Sequence, residues 1–255
     1  MNVGICAIVK DCDPEYLREW IDWHKLIGVD YFFLFDNGSE IPVQNIVSDN
    51  PNIFVYLTPG TRMQQPVYMY CIYMQRWRCQ PTCDWIAFID DDEFIVVESG
   101  SIKELLSEVT SSGLALNWVV FGGTGEYKVE GSQIDKFTRH TFPEHEINQH
   151  VKSIVQPLSV EGTVNPHYFH YHTGECLDLS GNIITSPYTH TPVMEKAWIN
   201  HYWNRSREEF LKKLQRGRVD CDYTWSMELY EGIEEKSNHT STKIIEIRNK
   251  LLGIW

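Results

Sequence analysis

Four consecutive acids, Asp90-Asp91-Asp92-Glu93, stand between two apolar runs, Trp85 to Ile89 and Phe94 to Val97. Adjacent carboxylates repel unless positive charge sits among them. A hard divalent cation, Mg²⁺ or Mn²⁺, answers that need and keeps open positions for phosphate oxygens. If the strand that opens at Trp85 runs on through the acids, Asp90 and Asp92 face one side. The competing reading is a solvated acidic turn after a buried strand, and the apolar flanks weigh against it.

Two other stretches carry chemistry. Histidines 140, 145, 150, 167, 170 and 172 stand among Lys128, Lys136, Arg139 and Lys152. One imidazole could complete a metal site begun by Asp90 and Asp92. Zinc held by histidines alone and ordinary aromatic packing are the alternatives. Strand alternation puts His170 and His172 on one face and His167 on the other. Arg205, Arg207, Lys212, Lys213, Arg216 and Arg218 form the one basic stretch, which suits a diphosphate, an anionic acceptor or a solvated helix face equally. His201 and Arg205 flank a strand-to-helix junction, where anions bind well.

Residues 1–110 alternate strand and helix. Val3 to Val9 reads as a buried strand, and Asp13-Pro14 as a cap and first helical residue. Leu17, Trp20, Ile21, His24 and Ile27 follow at helical spacing, and Tyr31 to Phe35 is the next strand. A strand over Ile53 to Leu57, a helix over Gln64 to Gln80, the acidic strand and a Ser101/Glu104 capping box complete this half. Ligands of such sheets sit beyond the carboxyl ends of strands, so the turn Asp36-Asn37-Gly38-Ser39 is a candidate wall. Leu114 to Phe121, Lys152 to Gln156 and Ala197 to Trp203 read as later strands, and a helix begins at Ser206. The tail from Thr240 is a last helix. Neither a Gly-x-Gly-x-x-Gly fingerprint nor a Gly-Lys-Ser/Thr phosphate loop is present.

The chain has 255 residues, 42% of them apolar, and a formal net charge of -13, which argues against a nucleic-acid surface. Its seven cysteines make no zinc set, so reduced thiols and a cytoplasmic location are expected. No signal peptide or membrane-spanning run is read.

The run Ile5 to Asp11 with Tyr16-Leu17-Arg18-Glu19-Trp20-Ile21-Asp22-Trp23-His24 resembles the opening of family 2-like and family 92-like glycosyltransferases. So do Phe35 to Ser39, the Asp-x-Asp run Trp85 to Phe94, Asn117-Trp118, Val151 to Pro157, and Ile199-Asn200-His201-Tyr202 with Arg205-Ser206. Asp11-Cys12 departs from the Asn-Glu often found there, and Ser39-Glu40 from Ser-x-Asp. The resemblance implies a GT-A fold, a Rossmann-like α/β/α sandwich with a mostly parallel mixed sheet. Residues 1–110 would be its nucleotide-sugar half, 111–220 its acceptor half and 221–255 a helical extension. It implies a nucleoside-diphosphate sugar donor, UDP-sugar favoured, a glycan or other hydroxyl acceptor, Mn²⁺ or Mg²⁺, and inversion. Asp36 would accept from the base, Asp90 and Asp92 would face ribose and metal, and His167 would be the third ligand, with His170 and His172 as alternatives. The donor-side candidates are Lys10, Asp36, Asn37, Gln65, Asp90, Asp91, Lys152, His201 and Arg205, and Trp118 is a candidate for stacking on an acceptor sugar. A one-step displacement needs a carboxylate base. Glu126 is favoured because it follows the strand and glycine turn after the acidic strand; Glu146, Glu175, Asp178, Asp220 and Asp222 stay open. A metal-dependent phosphohydrolase and a non-catalytic glycan-binding module are the rival functions.

Overall fold

Alternate residues of the first strand enter two different cores. In β1 (Val3–Val9), Val3, Ile5, Ala7 and Val9 join one cluster, and Cys6 and Ile8 join the other. This is the pattern of a central strand with helices on both faces. The first core holds α1 (Pro14–Leu26), and the second holds α3 (Gln64–Arg76). The computed structural model describes residues 1–47, 50–163, 165–217 and 225–254. Arg218, Asp220, Cys221 and Asp222 lie outside the described residues.

The chain continues through β2 (Tyr31–Asp36), α2 (Val43–Ile46), β3 (Ile53–Leu57) and, after α3, β4 (Trp85–Phe88), β5 (Glu93–Val97) and α4 (Ile102–Ser107). Then come β6 (Gly113–Val120), α5 (Gln133–Lys136), β7 (Arg139–His140), β8 (Val151–Val155), β9 (Val160–Thr163), β10 (Phe169–Tyr171) and β11 (Cys176–Leu177). The last elements are β12 (Ala197–His201), α6 (Arg207–Arg216), α7 (Met227–Lys236), β13 (His239–Thr240) and α8 (Lys243–Leu252).

Among the described residues the main sheet has the order β3-β2-β1-β4-β8-β6-β12-β5, with β11 paired to β6. Pairs β1/β2, β2/β3, β1/β4, β6/β11 and β6/β12 are parallel, whereas β8 runs antiparallel to β4 and β6, and β5 antiparallel to β12. The fold is therefore α/β with a mixed, mostly parallel sheet.

Local signals explain the helix starts. The Asp13 carboxylate accepts from the N–H groups of Glu15 and Tyr16, and Pro14 fills the first helical position. At α4 only half of the expected capping box forms: Ser101 Oγ accepts from Glu104 N, while Ser101 N donates to Ser99. The full box is at α6, where Ser206 and Glu209 cap each other. Two expectations change. Helix α3 stops at Arg76, before Gln80, and the acidic strand stops at Phe88.

Strand β5 is an edge of the sheet, and α1 covers it. Trp20 Nε1 donates to the carbonyl of Glu93 (2.7 Å) and Trp23 Nε1 to that of Ile95 (2.8 Å). His24 Nε2 accepts from Ile95 N (3.1 Å). Residues 20, 23 and 24 share one helix face. They satisfy backbone groups that an edge strand would otherwise leave open, and they fix where the acidic turn ends.

Candidate active site

Asp90 to Asp92 occupy a turn between β4 and β5, and Glu93 opens β5. Glu93 N donates to the carbonyl of Asp90 (3.1 Å), closing the turn. Turn geometry, rather than strand alternation, sets the directions of Asp90 and Asp92.

Two lysines hold three of the four acids: Lys152 pairs with Asp90 and Glu93, and Lys213 with Asp92. Lys152 of β8 is 1% exposed, with Nζ 2.8 Å from Asp90 Oδ2 and 3.5 Å from Glu93 Oε2. Burial works against its ammonium, but Asp90 and then Glu93 overcome this and raise its pKa well above the usual lysine value. Burial pushes the Glu93 carboxyl well up despite Lys152. Gln64, on the first turn of α3, donates to Asp90 Oδ1 (2.7 Å) and to Tyr68 (3.0 Å). Asp92 lies 3.0 Å from Lys213 Nζ and 3.4 Å from His201 Nε2. Burial opposes its charge, yet Lys213 and then His201 hold its carboxyl well below the usual range. Asp91 offers its carbonyl to the Arg205 guanidinium (2.9 Å), while its buried Oδ2 has no hydrogen-bond partner.

A cavity of about 120 Å³ opens over the turn, lined by Lys10, Gln64, Asp90, Asp91, Asp92, Lys152, His167, His201, Lys213 and Arg216 among others. That space suits an ion with a phosphate-sized group; drug-sized ligands occupy roughly 300 Å³ or more. A second cavity of about 580 Å³ adjoins it and shares Asp92, Trp203, Lys213 and Arg216.

His167 Nδ1 lies 2.9 Å from the carbonyl of Val151. A carbonyl only accepts, so Nδ1 carries the proton and Nε2 keeps its lone pair. Burial, then Lys152, lowers its pKa well below normal, so the ring is a neutral donor. This is how metal-binding histidines are usually held. The donor chemistry of Asp90, Asp92 and His167, three groups around one cavity, fits a hard divalent cation. As arranged, however, no three His, Cys, Asp or Glu side chains among the described residues form a group that could hold a metal ion. Lys152 and Lys213 hold the carboxylates instead.

A family model, Glycosyltransferase family 92, matches residues 68–254. The chain belongs to glycosyltransferase family 92. A family 92 protein of Ricinus communis is 25% identical over 95% of this chain and 42% of its own length. One from Oryza sativa subsp. japonica is 26% identical over 96% of this chain and 40% of its own. The chain thus spans about two-fifths of the relatives it matches. Among solved structures, HddC from Yersinia pseudotuberculosis aligns with TM-score 0.41 and 10% identity, over 72% of this chain and 93% of that one.

Several of the expected site residues do not line the smaller cavity. Asp36 and Asn37 do not line the two cavities. The Asp36 carboxylate accepts from Gly38, Ser39 and Val43 N–H groups, and Asn37 Nδ2 donates to the carbonyls of Thr58 and Gly60. These bonds shape the loop after β2. Gln65 is absent from both linings; its neighbour Gln64 reaches Asp90. Arg205 lines only the larger cavity, with its guanidinium 5.0 Å over the Tyr16 ring. Glu126 is exposed and lines neither, and Glu146, Glu175 and Asp178 are absent from both too. His170 and His172 are exposed and away from the acids. Trp118 lines the smaller cavity but is 5% exposed, with His150 stacked at 4.7 Å and His167 and His201 edge-on. It props three imidazoles rather than offering a free face.

Sequence reasoning did not reach Gln64, and it named Glu93 only within the acidic run and Lys213 and Arg216 only within the basic stretch, without singling them out. For the last two a signal existed: from the Ser206 cap, residues 209, 213 and 216 fall on one helix face.

Proposed function

We propose that this chain transfers a glycosyl group from a nucleoside-diphosphate sugar, UDP-sugar favoured, to a hydroxyl of a glycan or other acceptor. The observation that carries this reading is the small cavity at the acidic turn. In a chain of net charge -13 it gathers Lys10, Lys152, Lys213 and Arg216 around Asp90 to Asp92. Cations and carboxylates so interleaved suit a diphosphate with its divalent ion. Moved from the lysine-held arrangement described above, Asp90 and Asp92 with His167 would hold Mn²⁺ or Mg²⁺, and the bound ion would supply Lewis-acid stabilisation of the leaving diphosphate.

The chain's own groups do the rest. Lys152, fixed between Asp90 and Glu93, keeps the first carboxylate oriented. Lys10 and Arg216 meet phosphate charge at the rim. The larger cavity adjoins at Asp92 and Trp203, where an acceptor hydroxyl can approach the sugar from the side away from the diphosphate. In-line displacement from that side inverts the anomeric centre. Asp13, Glu40 and Glu209 line this cavity as carboxylates for the hydroxyl proton.

The test is a panel of UDP-, GDP- and TDP-sugars with Mn²⁺ and candidate acceptors, read by mass spectrometry. One donor should be consumed with transfer, Asp92→Asn should abolish it, and Glu126→Gln should stay within about two-fold of wild type, since its side chain lines neither cavity. A roughly 100-fold loss in Glu126→Gln would restore that residue as the base. Metal-dependent hydrolysis that no acceptor diverts would replace transfer with phosphohydrolysis.

A further inference from the structure

Lys213 occupies an unusual place for a lysine on a charged helix. Its Nζ sits 3.0 Å from Asp92 Oδ2, 4.8 Å from the Trp203 ring and 5.6 Å from the Trp225 ring. The two indoles meet edge-on at 4.5 Å, forming two walls of a cage. Only 16% of the side chain is exposed, and it lines both cavities. Its neighbour Lys212 is ordinary by contrast: 69% exposed and 3.7 Å from Glu208, one turn back.

A buried ammonium needs a counter-charge, and the tryptophan faces add a weaker attraction. Asp92 supplies that charge, but Asp92 is also a carboxylate that the functional reading above gives to a divalent ion. One carboxylate oxygen cannot serve both cations at full strength, since like charges a few ångströms apart repel. We propose that Lys213 is a resident counter-ion of Asp92 that competes with the divalent cation and, once displaced, passes to the donor's diphosphate. The aromatic cage keeps the ammonium at the cavity wall during the exchange. Two consequences follow from the competition. Lys213 weakens metal binding in the absence of nucleotide, and it strengthens nucleotide binding once the metal is in place. The site thereby takes up metal and diphosphate together and holds neither firmly alone. This inference rests on the divalent cation proposed above.

The test measures Mn²⁺ and UDP binding by calorimetry on the whole chain, with thermal unfolding as the folding check. Lys213→Met should bind Mn²⁺ alone about ten-fold more tightly than wild type, the scale of one partly buried charge pair. At saturating Mn²⁺ it should bind UDP about ten-fold more weakly. Lys213→Gln, a second neutral replacement, should repeat both shifts. Lys212→Met, the same charge change one residue away, should move Mn²⁺ affinity by less than about two-fold, as exposed charges do. Unchanged or weaker Mn²⁺ binding in both Lys213 variants, beside a wild type that binds Mn²⁺ and UDP, overturns the counter-ion role and leaves the functional reading standing. An equal shift in Lys212→Met also overturns it. A wild type that binds no Mn²⁺ with or without UDP overturns both.

Discussion

Lys152 is the residue on which the small cavity's charge balance turns. It is 1% exposed and pairs with both Asp90 and Glu93. Removing one member of a buried ion pair leaves an uncompensated charge, with a penalty of about 3–5 kcal/mol. Lys152→Met is expected to lose stability on that scale in urea unfolding, and Lys152→Met with Glu93→Gln to recover part of it. If the single variant unfolds like wild type, the buried pairing is wrong. At this scale the sequence was partly legible. Asp90, Asp91, Asp92, Lys152, His167 and His201 stood out by residue type, and all line one cavity. Gln64 did not, because an uncharged amide on a helix carries no signal until its partner is known. Asp36 stood out by residue type, but its backbone bonds did not. An acid after a strand looks free in sequence, but an Asp-Asn-Gly-Ser turn offers it backbone N–H groups nearby.

Helix α1 holds the site from behind. His24 Nδ1 lies 2.7 Å from the carbonyl of Trp20, and Nε2 accepts from Ile95 N. The ring is therefore neutral, donating at one nitrogen and accepting at the other. Burial pushes its pKa from 6.5 down to about 3. The unfolded chain takes up this proton near pH 6.5 and the folded chain only near 3. The contribution to stability is thus fully present above pH 6.5 and declines as pH falls towards 3, by at most about 1.4 kcal/mol per pH unit. Urea unfolding at pH 7 and pH 5 should show this loss in wild type and a smaller one in His24→Gln; equal slopes would remove His24 from the account. The periodicity of Leu17, Trp20, Ile21, His24 and Ile27 made this helix legible. That Trp20, Trp23 and His24 close the edge of β5 was not, since strand order is a tertiary fact that no local pattern encodes.

On the scale of the whole molecule, the alternating first half announced a parallel α/β sheet, and the main sheet is of that class. The interleaving of β8, β6 and β12 between β4 and β5 was not readable, because short apolar strands state that they are buried but not beside what. Helix α7 fell within the helical extension expected over 221–255 but was not bounded by itself; its polar face masks a stripe of only Tyr230 and Ile233. The sheet order has a consequence for how the protein is made. Asp92 leaves the ribosome long before the strand that pairs with β5, and before His201 and Lys213. Roughly a hundred residues separate them, on the order of 5–20 s of synthesis. During that interval a nascent chain carries Asp92 without Lys213 or His201, at a turn whose following strand has no sheet partner. Ribosome-arrested chains ending before β12 should therefore be cut by protease near β5, and chains extended well past α6 should be protected. Equal protection at both lengths would mean that β5 is held by α1 alone. The candidate pocket is, in birth order, finished late: Lys10, Gln64 and the aspartates are made first, Lys152 next, and Lys213 and Arg216 last.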